Sequence, residues 1–285
     1  MIEFNAKKMT KKVIDWIRWY FSKNGDENTV AVVGVSGGKD SSVVLKLCTE
    51  ALGADRVVAV LLPRGKQDDI RYAYTACTVC GIPDTNVYEI NIEDICNAFA
   101  NTVAPYAVRS STQKVDCMKT NYPARVRMNV ICAISALRGG RIANTCNLSE
   151  DWVGYMTKNG GDSAGDFSPL ANFTVTEVKQ IGRVLGLPSC LIDKIPTDGL
   201  CGKTDEENLG FTYDTLDKYI RTGECDEEIK KAIDTKHYAN LHKLKPMPKF
   251  NYRPDRMEAK MNEGSHSKSD SKRTGNEGKR TAGEG

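Results

Sequence analysis

Apolar positions along this chain alternate between two periods. Residues 7–22 place Val13, Ile14, Ile17, Tyr20 and Phe21 on one side of a helix, and Asn24-Gly25-Asp26 ends it. Strand-like apolar runs follow at 29–35, Val57 to Leu62, Val87 to Ile90 and Arg141 to Thr145. Helix-like segments at 40–52, 67–80, 93–103 and 123–138 separate them. Strands alternating with helices predict an α/β fold with a doubly wound, mostly parallel sheet. Ligands in such sheets bind beyond the carboxyl ends of the strands. The Ser36 loop, Pro63-Arg64-Gly65 and Asn144-Thr145 all follow strands, so they are expected to converge.

The second half is less regular. Residues 150–170 are Gly- and Asp-rich with little periodicity, which reads as a long functional loop. Thr174-Val175-Thr176-Glu177 has the form of a capping box, opening a helix to about Leu185, with Leu187-Pro188 as its stop. A second polar loop covers 196–209, and a helix is expected at 213–221. From Glu263 onward only Ala282 is apolar. Such composition predicts disorder. The expected organisation is one domain over 1–258 and a disordered polar tail over 259–285.

Composition narrows the class. The 285 residues are 40% hydrophobic, enough for a sizeable core, and the net charge of +3 gives no basic stripe for nucleic acid. No apolar run approaches the length of a membrane span, and residues 1–12 lack the apolar core of a signal peptide. The ten cysteines are scattered, several within apolar patterns, as in a reducing cytoplasm. Cys77-x-x-Cys80 is the one suggestive pair; no second pair stands at metal-ligand spacing, and a structural role is favoured.

The chemistry concentrates in Ser36-Gly37-Gly38-Lys39-Asp40-Ser41-Ser42, between the run Val30 to Val35 and a helix pattern. A helix start presents unpartnered N–H groups and the positive end of the dipole to an anion. Gly37 and Gly38 let the backbone approach a phosphate, and the serines add hydroxyl donors. Asp40 would repel a bare phosphate, so it argues for a bridging divalent cation. The GxxxxGK[ST] spacing of the nucleoside-triphosphatase loop is absent.

The segment resembles the SGGxDS signature of the ATP-pyrophosphatase (PP-loop) superfamily, with its Rossmann-like adenine nucleotide alpha hydrolase fold. Residues 10 to 245 further resemble ammonia-dependent NAD synthetases. Leu62-Pro63-Arg64-Gly65-Lys66-Gln67-Asp68-Asp69 is similar to that family's LPxGxQxDE loop, and Asn121 to Met128 to NxxARxRM. Asn144-Thr145 with Ser149-Glu150 matches a third stretch, and Thr157-Lys158-Asn159-Gly160 with Gly165 to Leu170 a fourth. Pro196 to Leu200 with Asp205 to Tyr213 matches a fifth.

The resemblance implies amidation of deamido-NAD to NAD by ammonia and ATP, through an adenylate, releasing pyrophosphate and AMP. It assigns the ATP phosphates to Gly34, Val35, Ser36, Gly37, Gly38, Lys39, Asp40 and Ser41, with further ATP contacts at Gln67, Thr145 and Thr197. It gives Mg²⁺ to Asp40 and Glu150. Deamido-NAD goes to Arg125, Lys158, Asp166, His242 and Lys243, the last two reaching a partner subunit in a homodimer. Asp40, Asp166 and Lys158 are the expected catalytic residues, Asp166 by deprotonating or steering ammonium. The chain departs from the pattern at Val175, where the family has a lysine that reaches ATP phosphates; Lys179, Lys194 and Lys203 are candidate replacements. Asn144 replaces a glycine. Two other readings remain open: a different PP-loop adenylating enzyme with Cys77, Cys80 or Cys201 as sulfur carrier, and a nucleotide-binding regulator without catalysis.

Overall fold

The computed structural model describes residues 4–194 and 204–252. Four parallel strands form the sheet, β1 (Ala31–Gly34), β2 (Val57–Leu61), β3 (Val87–Glu89) and β4 (Arg141–Ala143), in the order β3-β2-β1-β4. Each follows its predicted run, trimmed at the ends. β2 is buried along its whole length, as expected when helices cover both faces of a parallel sheet.

One face packs on α1 (Ala6–Asn24), α2 (Lys39–Leu52) and α7 (Val175–Val184). Ile17, Leu45, Leu47 and Ile181 are fully buried there. α3 (Arg71–Cys80) and α8 (Ser189–Ile192) extend that layer. The opposite face packs on α4 (Glu93–Ala107) and α5 (Thr112–Arg138), with Val32, Val58 and Val60 against Val126, Ile131 and Ile134. α5 is much longer than the predicted 123–138. Pro123 reads as a helix start, but it sits inside α5, where it removes one N–H from the ladder and its ring crowds the preceding turn.

A third apolar cluster joins α6 (Leu148–Val153), α9 (Asp205–Leu209), α10 (Tyr213–Thr222) and α11 (Glu227–Leu244) around Leu216 and Ile233. α9 lies inside the loop expected at 196–209, and α6 overlaps the start of the one expected at 150–170. Each is short and begins with a reciprocal capping box, Asn147 with Glu150 and Thr204 with Glu207. The predicted box at Thr174 and Glu177 is present. The chain divides into a compact unit through Leu244 and a second segment from Lys245. Residues 245–252 of that segment carry no regular secondary structure. The predicted tail lies outside the described residues, as do Thr197 and Lys203.

Candidate active site

Strand order reverses between β1 and β4, so the crevice past their carboxyl ends is the switch point of the sheet. Two loops open there. The first is Val35 to Gly38, leading into α2. Gly37 has φ +76, and a Cβ at that position would sit 2.4 Å from the backbone nitrogen of Ala73. Only glycine allows the loop to lie against the start of α3. Ser36 and Ser41 hydroxyls meet at 3.1 Å, and Ser42 Oγ donates to Gly38 O at 2.7 Å, so the turn is stitched from within. The amides at the start of α2 have no side-chain cap.

The second loop is Asn144 to Asn147, leading into α6. Asn144 Oδ1 accepts from Cys146 N and Ser168 Oγ, which fixes the turn with Thr145 half-buried in it. Fully buried Asn147 caps α6 and also donates through Nδ2 to Asp40 Oδ1 at 3.0 Å. Asn147 thereby orients both predicted metal carboxylates: Asp40 through its side-chain amide, and Glu150 through its backbone N–H, which donates to Glu150 Oε2 at 3.4 Å.

Those carboxylates meet at Lys39. Lys39 Nζ lies 2.7 Å from Asp40 Oδ2 and 3.7 Å from Glu150 Oε1, and 5.5 Å from the centre of the Tyr213 ring. The lysine is 4% exposed. Lys39 shares a helix stripe with Val43 and Leu47, which forces it inward. Burial alone would push its ammonium towards the neutral form; the charges of Asp40, Glu150 and Asp205 outweigh that and raise its pKa. Tyr213 is also raised, by burial first and then by Glu150, Asp205 and Asp40. Its phenol stays protonated and donates to Asp205 Oδ2 at 3.5 Å.

Two hard oxygen ligands converging on one cationic point fit Mg²⁺, which takes one or two carboxylates and completes its shell with substrate phosphates and water. Among the described residues no group of three or more His, Cys, Asp or Glu is placed to hold a metal alone.

The predicted dinucleotide residues gather elsewhere. Exposed Arg125 on α5 donates from Nε and Nη2 to Lys158 O, and Lys158 Nζ donates to His242 O at 2.7 Å. Arg125, Lys158 and His242 are thus neighbours. Lys243 Nζ donates to Gly154 O and Met156 O within its own chain, and burial lowers its pKa. Asp166 uses Oδ2 to accept from Ile142 N at 2.7 Å, stitching its segment to β4, next to the Ala143–Phe167 bridge. Gln67 Nε2 donates to Asp69 Oδ1 in the loop after β2, and Lys194 Nζ donates to Asp69 Oδ2. Of the lysines considered for Val175, Lys194 therefore borders this loop. Val175 itself is 1% exposed in the α6–α10 cluster.

Sequence reasoning passed over Asn147, and it gave no role to Asp205 and Tyr213, which bound the second half of the fifth matched stretch. The Asn147-x-x-Glu150 spacing was the available signal for the first. The cysteine pair has no reactive character. Burial pushes Cys77 up to about 11 and Cys80 up to about 12, leaving both as thiols.

A Gly-rich turn at the switch point, with paired carboxylates beside it and a basic cluster further along, fits an α/β enzyme of the PP-loop fold. The sequence model of the NAD synthase family matches residues 9–254, and the chain belongs to that family. It is 37% identical over 238 residues to the NH(3)-dependent NAD(+) synthetase of Methanocaldococcus jannaschii, covering 77% of this chain and 88% of the relative. The Alkaliphilus metalliredigens protein of the same name is 32% identical over 242 residues, covering 84% and 96%. The solved NMN synthetase of Francisella tularensis superposes with a TM-score of 0.77 at 29% identity, covering 88% of this chain and all of that one.

Proposed function

We propose that this ligase forms a C–N bond by amidating deamido-NAD with ammonia and ATP. The observation that carries the reading is the convergence of Asp40 and Glu150 beside the Ser36–Ser41 turn. Family membership supplies the substrate class. The nicotinate carboxylate attacks the α-phosphorus of ATP, and the bond to the bridging oxygen breaks as pyrophosphate leaves. Ammonia then adds to the acyl carbon of the adenylate. It loses a proton, AMP departs, and the amide remains. The uncapped amides of α2 and the serine hydroxyls bind the departing pyrophosphate, where negative charge grows. Asp40 and Glu150 would hold Mg²⁺, which neutralises phosphate charge when bound. Arg125 and Lys158 bind the dinucleotide phosphates, Arg125 by its planar fork. Gln67, Thr145, Thr197 and Asp166 keep the roles the family resemblance gives them.

The protein acts as a homodimer in this reading. An apolar cleft between α4 and α5, lined by Ile90, Ile95, Val126 and Ile134, supports an association of two copies. Sedimentation equilibrium at micromolar concentration tests it, and a monomer would overturn it. A cytoplasmic location is supported by the scattered cysteines, several of them buried within apolar packing. No described helix is long and apolar enough to cross a membrane.

The superposition on an NMN synthetase favours one second reading, in which the acceptor is the mononucleotide with the same nicotinate carboxylate. The test is NAD and pyrophosphate formation from ATP, Mg²⁺ and deamido-NAD, with ammonium or glutamine as donor, beside a reaction on nicotinate mononucleotide. NAD formed with ammonium supports the main reading. A higher kcat/KM for the mononucleotide would favour the second. Pyrophosphate without either amide would overturn both.

A further inference from the structure

We infer that the Lys39 ammonium is a tethered monovalent cation occupying the position between Asp40 and Glu150 that a divalent ion must take. The inference rests on the assignment of those two carboxylates to the metal. Nζ is 2.7 Å from Asp40 Oδ2 and 3.7 Å from Glu150 Oε1, so an ion bridging both oxygens would fall on or beside the ammonium. Nothing dilutes the overlap: Lys39 is 4% exposed, the Tyr213 ring lies against it, and Asp205 adds a third negative charge nearby.

Two cations cannot share so small and dry a space. A free divalent ion would have to expel an ammonium already neutralising both its ligands. ATP changes the balance, because its phosphates bring new anionic oxygens for the ion and a new partner for the displaced ammonium. The four-carbon stem of lysine permits that swing; a rigid guanidinium would not fit it so readily. Lys39 is then a positioning residue with a defined consequence. The metal enters with the nucleotide, and the nucleotide-free chain binds divalent ions weakly while its carboxylates stay apart and in register.

Mn²⁺ binding to the full chain, read by the electron paramagnetic resonance of the free ion, tests this without turnover. Lys39→Met removes the charge and keeps an unbranched stem of similar length. It should bind Mn²⁺ about tenfold or more tightly than the unaltered chain when nucleotide is absent, because the site gains uncompensated carboxylate charge. Lys39→Gln should tighten binding in the same direction, and Lys39→Arg, which keeps the charge, should not. Equal or weaker Mn²⁺ binding in the neutral variants would overturn the inference. So would tight nucleotide-free binding to the unaltered chain that Asp40→Asn removes, a result that needs no Lys39 variant to fold. Asp40→Asn and Glu150→Gln, measured with a non-cleavable ATP analogue, separate the two levels. If neither weakens Mn²⁺ binding, the metal assignment itself fails. If both weaken it and the neutral Lys39 variants change nothing, only the role of Lys39 fails.

Discussion

Lys194 Nζ donates to Asp69 Oδ2 across 2.6 Å, tying the end of the α8 turn to the loop that follows β2. The same carboxylate accepts from Gln67 through Oδ1, so one aspartate holds both the loop and its closing lysine. Burial works to raise the pKa of Asp69, and the bonds from Lys194 and Gln67 more than offset it, so the net shift is downward. A carboxylate with a depressed folded pKa adds stability above its unfolded value, and that stability is lost as pH falls through the folded one. Asp69 is 42% exposed, so solvent screens the pair. Asp69→Asn should cost about 0.2–1 kcal/mol near neutral pH. The deficit should begin to shrink in urea titrations below the ordinary Asp value of 3.8 and disappear only below the lower folded value. A cost unchanged across that range would refute the ionic account.

Asp40→Asn and Glu150→Gln are expected to reduce pyrophosphate release by about 10²–10³-fold, the scale for removing one preorganised electrostatic contact. Both variants keep the bonds that orient the site, since Asn147 can still donate to an amide oxygen at position 40 and at position 150. Pyrophosphate release in single turnover is the measurement. Near-normal release by either variant would remove that residue from the phosphate site.

Lys158→Ala should raise the KM for deamido-NAD more than that for ATP. The basic cluster of Arg125, Lys158 and His242 is built on α5, the 157–163 segment and α11, away from the Ser36 turn in sequence and in its bonding. Arg125→Lys should fail to restore normal binding, because a point charge cannot reproduce a planar fork. Steady-state titration of each substrate decides it. A selective effect on ATP would reassign Lys158.

Val175→Lys would reinstate the lysine expected from the family pattern, yet it should damage this protein. Val175 packs with Leu209, Tyr213 and Leu216, and its N–H is already bonded to Ser149 Oγ. An ammonium forced into that cluster should cost at least about 2 kcal/mol, seen as a lower urea midpoint. Unchanged stability with raised activity would show that the site still has room for the older arrangement.

The strands were legible because a doubly covered parallel sheet demands unbroken Val and Ala runs, such as Val57 to Leu61. The Ser36 turn was legible because its glycines and serines have few other uses together. α11 was not, since Ile233 is its one buried side chain among the described residues and gives no stripe to read. α6 is only six residues long, too short for any period, and its capping box was its one mark. Position 39 was assigned to the phosphate loop from its place in the motif. The structure turns its side chain inward, in register with Val43 and Leu47 and onto the carboxylates, which the motif alone did not reveal. Asp166 was matched by sequence alone, which does not reveal its bond to the backbone of β4.

α6 has a consequence larger than its length. Glu150 and the preceding Asn147 serve the carboxylate pair; Ser149 holds Asp217 of α10 and the first amide of α7. At its far end, Asn240 grips Val153 O, Lys243 grips Gly154 O, and the His237 ring lies flat on Trp152. α6 thus bridges two parts of the molecule, with the Asp40–Glu150 pair at its start and α11 at its end. Lys158 hangs from α11 through His242. Any displacement of α11 would have to be absorbed within fewer than two helical turns of Glu150. The carboxylate pair and the anchor of Lys158 are thus held by one short span of backbone within a single chain.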